Sequence, residues 1–226
     1  MPQQRGPTQF PVTIITMQAP LFQDNPDSFE SIDLGDVQVH LHTSAFEPSD
    51  ASAMLHNLAE DIPWRQDSLW IAGREIPVPR LQCWMGDVGS LYGYSGMRLE
   101  PEPWHPQVQA IRSRVQELSG IQFNSVLLNL YRNGEDSVSW HADDEPELGR
   151  DPVIASVSLG AVRRFQLKHR HDRSREKLQI DLPHGSILIM GKGMQNKWLH
   201  QVPKQKTINE PRINLTFRQI IRRAAA

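Results

Sequence analysis

Residues 129–145 read NLYRNGEDSVSWHADDE. Apolar Val126, Leu127, Leu128 and Leu130 lead in, Asn133-Gly134 makes a polar turn, and a second extended run ends at His141-Ala142-Asp143. Two short strands joined as a hairpin account for this pattern. Side chains two apart on a strand share a face, so His141 and Asp143 can converge on one point. An imidazole and a carboxylate so placed supply two legs of a facial metal site, and two histidines with one carboxylate suit non-haem Fe(II) oxygen chemistry. A lone His-x-Asp is more often part of a surface strand, so a third ligand has to come from elsewhere in the chain.

Working outward, the hydrophobic period is two from residue 121 onward. Strands are expected over 123–131, 136–142, 153–159, 163–169, 176–182, 186–190, 197–201 and 211–220, divided by turns such as Pro183-His184-Gly185. Eight short strands without an intervening helix imply a sandwich, jelly roll or barrel. Two helices flank them. One covers roughly 50–61, capped by Ser49 or Asp50, with Met54, Leu55 and Leu58 on its packing face. The other spans 103–120, with Val108, Ile111, Val115 and Leu118 at helical spacing, Pro106 near its start and Gly120 as its stop. Residues 1–40 form a loose arm that adds one strand at Val37–Leu41. Residues 62–100 place Trp64, Trp70, Trp84, Tyr92 and Tyr94 among glycines and prolines, which is the composition of hairpins and loops. Such a stretch is either a small aromatic core or a lid whose rings stack on a planar substrate.

The last strand, Arg212-Ile213-Asn214-Leu215-Thr216-Phe217-Arg218, has one apolar face and one face of Arg, Asn, Thr and Arg. Inside a jelly roll the polar face would put two guanidiniums into a cavity. Buried cations need anions, and the planar fork suits carboxylates, so this strand would hold a small dicarboxylic acid. His200, in the short strand just before it, supplies the third metal ligand, with His184 a weaker rival. His169 and His171 lie in a charged hairpin and are expected to face solvent.

The 226 residues suit one elaborated domain or two small ones, and 38% apolar content is enough for a sizeable core. No apolar run approaches the ~20 residues of a membrane span, so no membrane association is expected. No basic patch followed by an apolar stretch opens the chain. One cysteine, Cys83, excludes an internal disulfide framework and fits a reducing, cytoplasmic setting. A monomer is expected. The net charge of −2 conceals an asymmetry. Residues 1–61 carry one basic and nine acidic side chains, and the remainder carries 23 basic and 17 acidic ones, hence −8 against +6. Spare positive charge in the later part is available to a polyanion.

Taken jointly, His141-x-Asp143, His200, Arg212-x-Asn214-x-Thr216-x-Arg218 and Asn129-x-Tyr131 resemble the AlkB family of Fe(II)- and 2-oxoglutarate-dependent nucleic-acid dealkylases. Pro79-Arg80, YGYSG at 92–96 and HADDE at 141–145 bring the likeness closest to the branch that includes the human DNA-repair members. It runs from about residue 70 to 220. The resemblance implies a mainly β fold, a double-stranded β-helix (jelly-roll) core with flanking helices and a hairpin-rich nucleotide-recognition lid. Residues 1–60 lie outside the likeness, and the expected division of the chain is an N-terminal arm and helix (1–60), the lid (61–100) and the dioxygenase core (101–226), with 61–226 one functional domain. The resemblance implies Fe(II) held by His141, Asp143 and His200, with 2-oxoglutarate and O2 as reactants. Arg212 and Asn214 would engage one carboxylate of the co-substrate near Tyr131, Arg218 and Asn129 would serve the keto-acid end, and Thr216 would line the same face.

The implied reaction converts 2-oxoglutarate to succinate and carbon dioxide while an N-alkyl carbon is hydroxylated and lost as an aldehyde. Its substrates would be 1-methyladenine and 3-methylcytosine in DNA or RNA, flipped or unpaired to reach a buried metal. Tyr92 and Tyr94 match the family's base-pocket positions, with Ser95 and Glu145 at the base edge and Asp144 bracing the loop beside the metal. Arg80, Arg163, Arg164 and the basic 168–177 hairpin would face phosphates. A finger at Ile71 or Ala72 would fill the gap left by a flipped base. The competing classes are a 2-oxoglutarate-dependent hydroxylase of a protein or small molecule, and a non-catalytic nucleic-acid module. The aromatic stretch and basic hairpin speak against the first, and the full ligand set against the second.

Overall fold

The computed structural model describes residues 12–15, 28–71, 73–90, 92–94, 97–99 and 101–221. Strands β1 (Val12–Ile15), β2 (Glu30–Asp33) and β3 (Gln38–His42) precede helix α1 (Pro48–Asp61). Two small hairpins, β4 (Ser68–Ile71) with β5 (Arg74–Pro77) and β7 (Tyr92–Tyr94) with β8 (Met97–Leu99), flank β6 (Leu81–Gly86). Helix α2 (Pro106–Ser119) follows, then β9 (Ser125–Tyr131), β10 (Val138–His141), β11 (Ile154–Gly160), β12 (Arg163–His169), β13 (Lys177–Leu182) and β14 (Ser186–Met190). A one-turn helix α3 (Met194–Lys197), β15 (Trp198–Val202) and β16 (Arg212–Arg218) complete the described chain.

The strands form a seven-stranded sheet, β2-β3-β14-β11-β16-β9-β6, and a five-stranded sheet, β1-β13-β12-β15-β10. All eight strands expected after residue 121 are present within a few residues of their expected ends. Their pairing differs from the expectation at one point. β9 and β10 are not a hairpin: β9 lies between β16 and β6 in the large sheet, and β10 lies beside β15 in the small one. Both edges of β9 are taken and nearly all its side chains are buried, so the chain has to cross between sheets at 132–137. Gly134 serves that crossing by closeness of approach. A Cβ there would stand 1.8 Å from the Gln205 carbonyl oxygen, and the Gly134 amide donates to Ile208 O at 2.7 Å.

Two layers of core result from strict alternation on the large sheet. Ile213, Leu215 and Phe217 of β16, with Val126, Leu128 and Leu130 of β9, pack toward Leu58 of α1 and Val108, Ile111 and Val115 of α2. Burying each such side chain contributes roughly 1.5–3 kcal/mol. Tyr131, Phe165, Leu167, Ile180, Leu188 and Trp198 fill the space between the sheets. Helix α2 is capped by His105, whose Nδ1 accepts from the Gln107 amide, and ends at Gly120 with φ 69°, where the absent Cβ matters. Helix α1 starts one turn-position earlier than expected. Glu47 is its N-cap with no side-chain cap bond, and Pro48 at the first helical position sets the start in place of Ser49 or Asp50.

The N-terminal region contributes more strand than expected. β3 pairs with β14, β2 with β3, and β1 runs parallel to β13. Of the tryptophans in 62–100, Trp84 is buried in the core, Trp64 is partly buried against it, and Trp70 is 74% exposed. That stretch is therefore part core and part surface hairpin. None of the described helices is long and apolar enough to cross a membrane.

Candidate metal and co-substrate site

Four strands aim the expected ligands into one cavity of about 440 Å3 between the sheets. β10 and β15 pair antiparallel with His141 opposite His200, so the two imidazoles lie side by side, ring centroids 4.2 Å apart. Asp143 follows just past the end of β10. Its carboxylate stands 4.0 Å from His141 Nε2 and 4.0 Å from His200 Nε2, and one ligand atom from each of the three lies within 4.8 Å of the others. His141 Nδ1 donates to Ser139 O at 2.8 Å, since a carbonyl can only accept, which leaves Nε2 with the lone pair that a metal needs. Burial, with His141 next to it, pushes the His200 imidazole down to about 3 against the pull of Asp143, so the ring is neutral and available as a ligand. Burial would raise the Asp143 carboxyl, but Arg218, His200, His141 and Arg80 together outweigh it and hold it below the usual carboxylate range. Arg218 Nη2 touches Asp143 Oδ1 at 2.8 Å. Two imidazole nitrogens and one carboxylate oxygen, converging with Asp143 and His200 buried, fit Fe(II).

The second half of the site lies on β16 and its neighbours. Arg212, Asn214, Thr216 and Arg218 all face the cavity, and their partners on β9 are Tyr131 opposite Arg212 and Asn129 opposite Asn214. Arg212 is 1% exposed and donates from Nη2 to Ser158 Oγ at 2.9 Å. Its Nε and Nη1 have no acceptor among the described residues, and no carboxylate pairs with it. Burial lowers its guanidinium to about 10, still fully cationic near neutrality. A buried cation with two free donors fits a ligand carboxylate, as the distal group of 2-oxoglutarate would be. Tyr131 lies between two guanidiniums, its ring centroid 5.2 Å from Arg212 and 5.5 Å from Arg163.

Several expected roles change. Asn214 uses both amide hydrogens on Ser156 Oγ and Val157 O, and its oxygen accepts from Thr216, so it steadies the strand and leaves the gripping to Arg212. Arg163 does not face phosphates. It is 1% exposed and donates to the carbonyls of Asn133, Asp136 and Pro203, because β12 turns it inward under the crossing loop. Arg80 is likewise buried, donating from Nε to Asn129 Oδ1 at 2.8 Å, and lines the cavity wall. Asn129 Oδ1 also accepts from Gln82, so its acceptor is occupied by protein. His169 is half-buried and contacts Asp36 at 3.3 Å, while His171 is exposed as expected. His184 lies in a separate groove with Ser52 and accepts from the Gly160 amide.

Asp144 is exposed and accepts from Arg170 Nη1 at 2.7 Å, bracing the loop after the metal ligands, and Glu145 lines the cavity. Tyr92 and Tyr94 are in the backbone of β7, and Ile71 ends β4. Ser95 and Ala72 lie outside the described residues. Three supporting residues went unread in the sequence. Gln195 Oε1 accepts from the Asp143 amide at 2.9 Å, and Ser156 and Ser158 hold Asn214 and Arg212. The alternating serines of β11 carried a period-two signal that could have placed them on the cavity face. Gln195, in a single turn of helix, carried none.

Comparison with known proteins agrees with this geometry. A family model described as the 2OG-Fe(II) oxygenase superfamily matches residues 38–218. The DNA oxidative demethylase ALKBH2 of Mus musculus is 37% identical over 189 residues, covering 80% of this chain and 79% of that protein. The chain belongs to the AlkB family of 2OG-Fe(II) oxygenases. Another AlkB relative, the alpha-ketoglutarate-dependent dioxygenase alkB homolog 3 of Homo sapiens, is 41% identical over 191 residues, covering 81% of this chain. The chain spans 66% of that human protein and 62% of its Bos taurus counterpart. The solved structure of OsALKBH1 superposes with a TM-score of 0.55 at 15% identity, covering 85% of this chain and all of that one, and so shares the AlkB fold.

Proposed function

We propose that this AlkB-family chain removes alkyl groups oxidatively from 1-methyladenine and 3-methylcytosine in DNA, as part of alkylation-damage repair. The observation that carries the proposal is the converging His141–Asp143–His200 cluster sharing one cavity with the unpaired donors of Arg212. Fe(II) and 2-oxoglutarate, when bound, supply an O2-dependent oxidation that hydroxylates the N-alkyl carbon, and the resulting hemiaminal breaks down to formaldehyde and the restored base. His141, Asp143 and His200 would hold the metal. Arg212 would anchor the distal carboxylate of 2-oxoglutarate, while Arg218 steadies the Asp143 carboxylate. Glu145 lines the cavity, and its carboxylate would accept from an exocyclic amino group or face a methylated, cationic ring. Leu69, Ile76 and Pro77 of the β4–β5 hairpin line the cavity.

The names of the relatives support this choice of substrate, since the mouse protein is called a DNA oxidative demethylase. Incubation with a 1-methyladenine oligonucleotide, Fe(II) and 2-oxoglutarate should release formaldehyde and succinate in equal amounts. His141→Ala should abolish both. Turnover of 2-oxoglutarate that survives this change would remove the site assignment on which the proposal stands.

A further inference from the structure

Of the three expected metal ligands, His141 is in β10 and His200 in β15, and a strand ladder holds both. Asp143 is not so held. The ladder's last rung is His141 opposite His200, and Asp143 lies two residues beyond it. The Asp143 amide therefore has no partner strand, and it donates to a side chain, Gln195 Oε1, at 2.9 Å. Both residues are buried, Gln195 completely, and a buried N–H left without an acceptor is costly. A glutamine amide can turn either its oxygen or its nitrogen toward a neighbour. Here the far end decides, because Nε2 points at Met190 Sδ at 3.6 Å and a thioether can only accept. The oxygen is left facing the Asp143 amide.

The place of Gln195 in the chain gives this contact reach. It sits in the single turn of α3, which runs straight into β15 and His200. Arg170 adds a second tie, donating from Nη1 to Asp144 Oδ2 at 2.7 Å and to Gln195 O at 3.4 Å. The segment that carries the carboxylate ligand is thus fastened to the segment that carries an imidazole ligand. At the other end of Asp143, Arg218 Nη2 holds Oδ1 at 2.8 Å. Backbone and carboxylate are both fixed before any ion arrives, so binding need not order them.

We propose that Gln195 is a positioning residue for the metal: by accepting from the Asp143 amide it sets the carboxylate against His200 and so sets the affinity of the site for a divalent ion. The proposal rests on the His141–Asp143–His200 cluster and is independent of which substrate the cavity takes.

The metal-free chain is titrated with Co(II) and followed by calorimetry and by the visible absorption of the bound ion. Asp143→Ala tests the cluster itself, and Co(II) binding that survives it would overturn the site and this proposal together. Gln195→Met keeps the length of the side chain without its acceptor, and should bind Co(II) about 10- to 100-fold more weakly. The absorption bands of its bound Co(II) should also move, because the carboxylate is presented differently. Asn196→Ala is the control: it loses contacts from the same turn to Arg150 O and Asp151 Oδ1 and leaves Asp143 untouched. It should keep wild-type affinity and bands. Wild-type behaviour in Gln195→Met would overturn the proposal while leaving the cluster standing, and so would an equal loss in Asn196→Ala. If Gln195→Met shows no cooperative thermal unfolding, the wild type decides. Hydrogen exchange at the Asp143 amide of the metal-free protein should be slowed about 100-fold or more relative to an unstructured peptide, and exchange at the unstructured rate would overturn the proposal.

Discussion

The Arg212 guanidinium donates to Ser158 and leaves Nε and Nη1 buried without an acceptor among the described residues, an arrangement that costs stability until an anion arrives. Arg212→Met should therefore raise the KM for 2-oxoglutarate about 10- to 100-fold, the loss of one charge-assisted hydrogen-bonded pair, while the fold survives. Titration of 2-oxoglutarate against succinate formation measures it, and an unchanged KM would place the carboxylate elsewhere. Cys83 makes the opposite case, a reactive group silenced by its surroundings. It is 1% exposed, and burial, with Glu102 next, pushes its thiol up to about 12. The native protein should not react with a disulfide reagent at pH 8, whereas in denaturant one thiol per chain should appear. Among single residues, His141, Asp143, His200 and Arg212 were legible because their motifs, weak one by one, point jointly to one chemistry. Arg80 and Arg163 were not. An arginine's letter says it seeks oxygen, and only the fold decides whether that oxygen is a phosphate or a backbone carbonyl.

At the scale of elements, the strands after residue 121 could be read from alternation, yet the partner of each could not. The step from β9 to β10 resembles a hairpin in sequence, and what excludes it is that β16 and β6 already occupy both edges of β9. The crossing loop is held by Asp136, which accepts from the Arg132 amide and guanidinium at 2.8–2.9 Å. Burial would raise the Asp136 carboxyl, but the hydrogen bonds from Arg132 outweigh it and hold it below its ordinary value. A carboxyl lowered on folding stabilises the native state above its unfolded value of about 4 and loses that contribution as pH falls through the folded value. Urea unfolding of the wild type and Asp136→Asn should accordingly differ most at pH 5–7 and converge toward pH 2. A difference that does not shrink in acid would mean the carboxylate's charge is not what holds the loop.

For the whole molecule, one cavity between two sheets gathers groups from β9, β10, β15 and β16, with the metal ligands on or just past β10 and on β15. A divalent ion that binds the native state alone should raise stability by about 2.7 kcal/mol at a hundredfold excess over Kd, or roughly 5–10 °C in Tm for a chain of this size. Adding Mn(II) without oxidation chemistry tests this by thermal unfolding, and Asp143→Ala should remove the gain. A shift that persists in that variant would locate the ion at another place. The global arrangement was legible from the resemblance of widely spaced motifs. The N-terminal strands were less so, because β1 and β2 are edge strands whose short, exposed sequences carry little period. A tie through Asp36 to Trp198, Arg175, His169 and Lys197 fastens that region to the small sheet, and no local pattern announces it.

β16 has every residue buried, its odd-numbered positions in the helix-side core and its even-numbered ones in the cavity. Sliding it by a single position would trade guanidiniums for phenylalanine on both faces at once. Misassembly at this strand would thus be self-reporting: a chain threaded wrongly there could neither stay folded nor take up its co-substrate. Correct assembly and catalytic competence are selected together by one seven-residue segment.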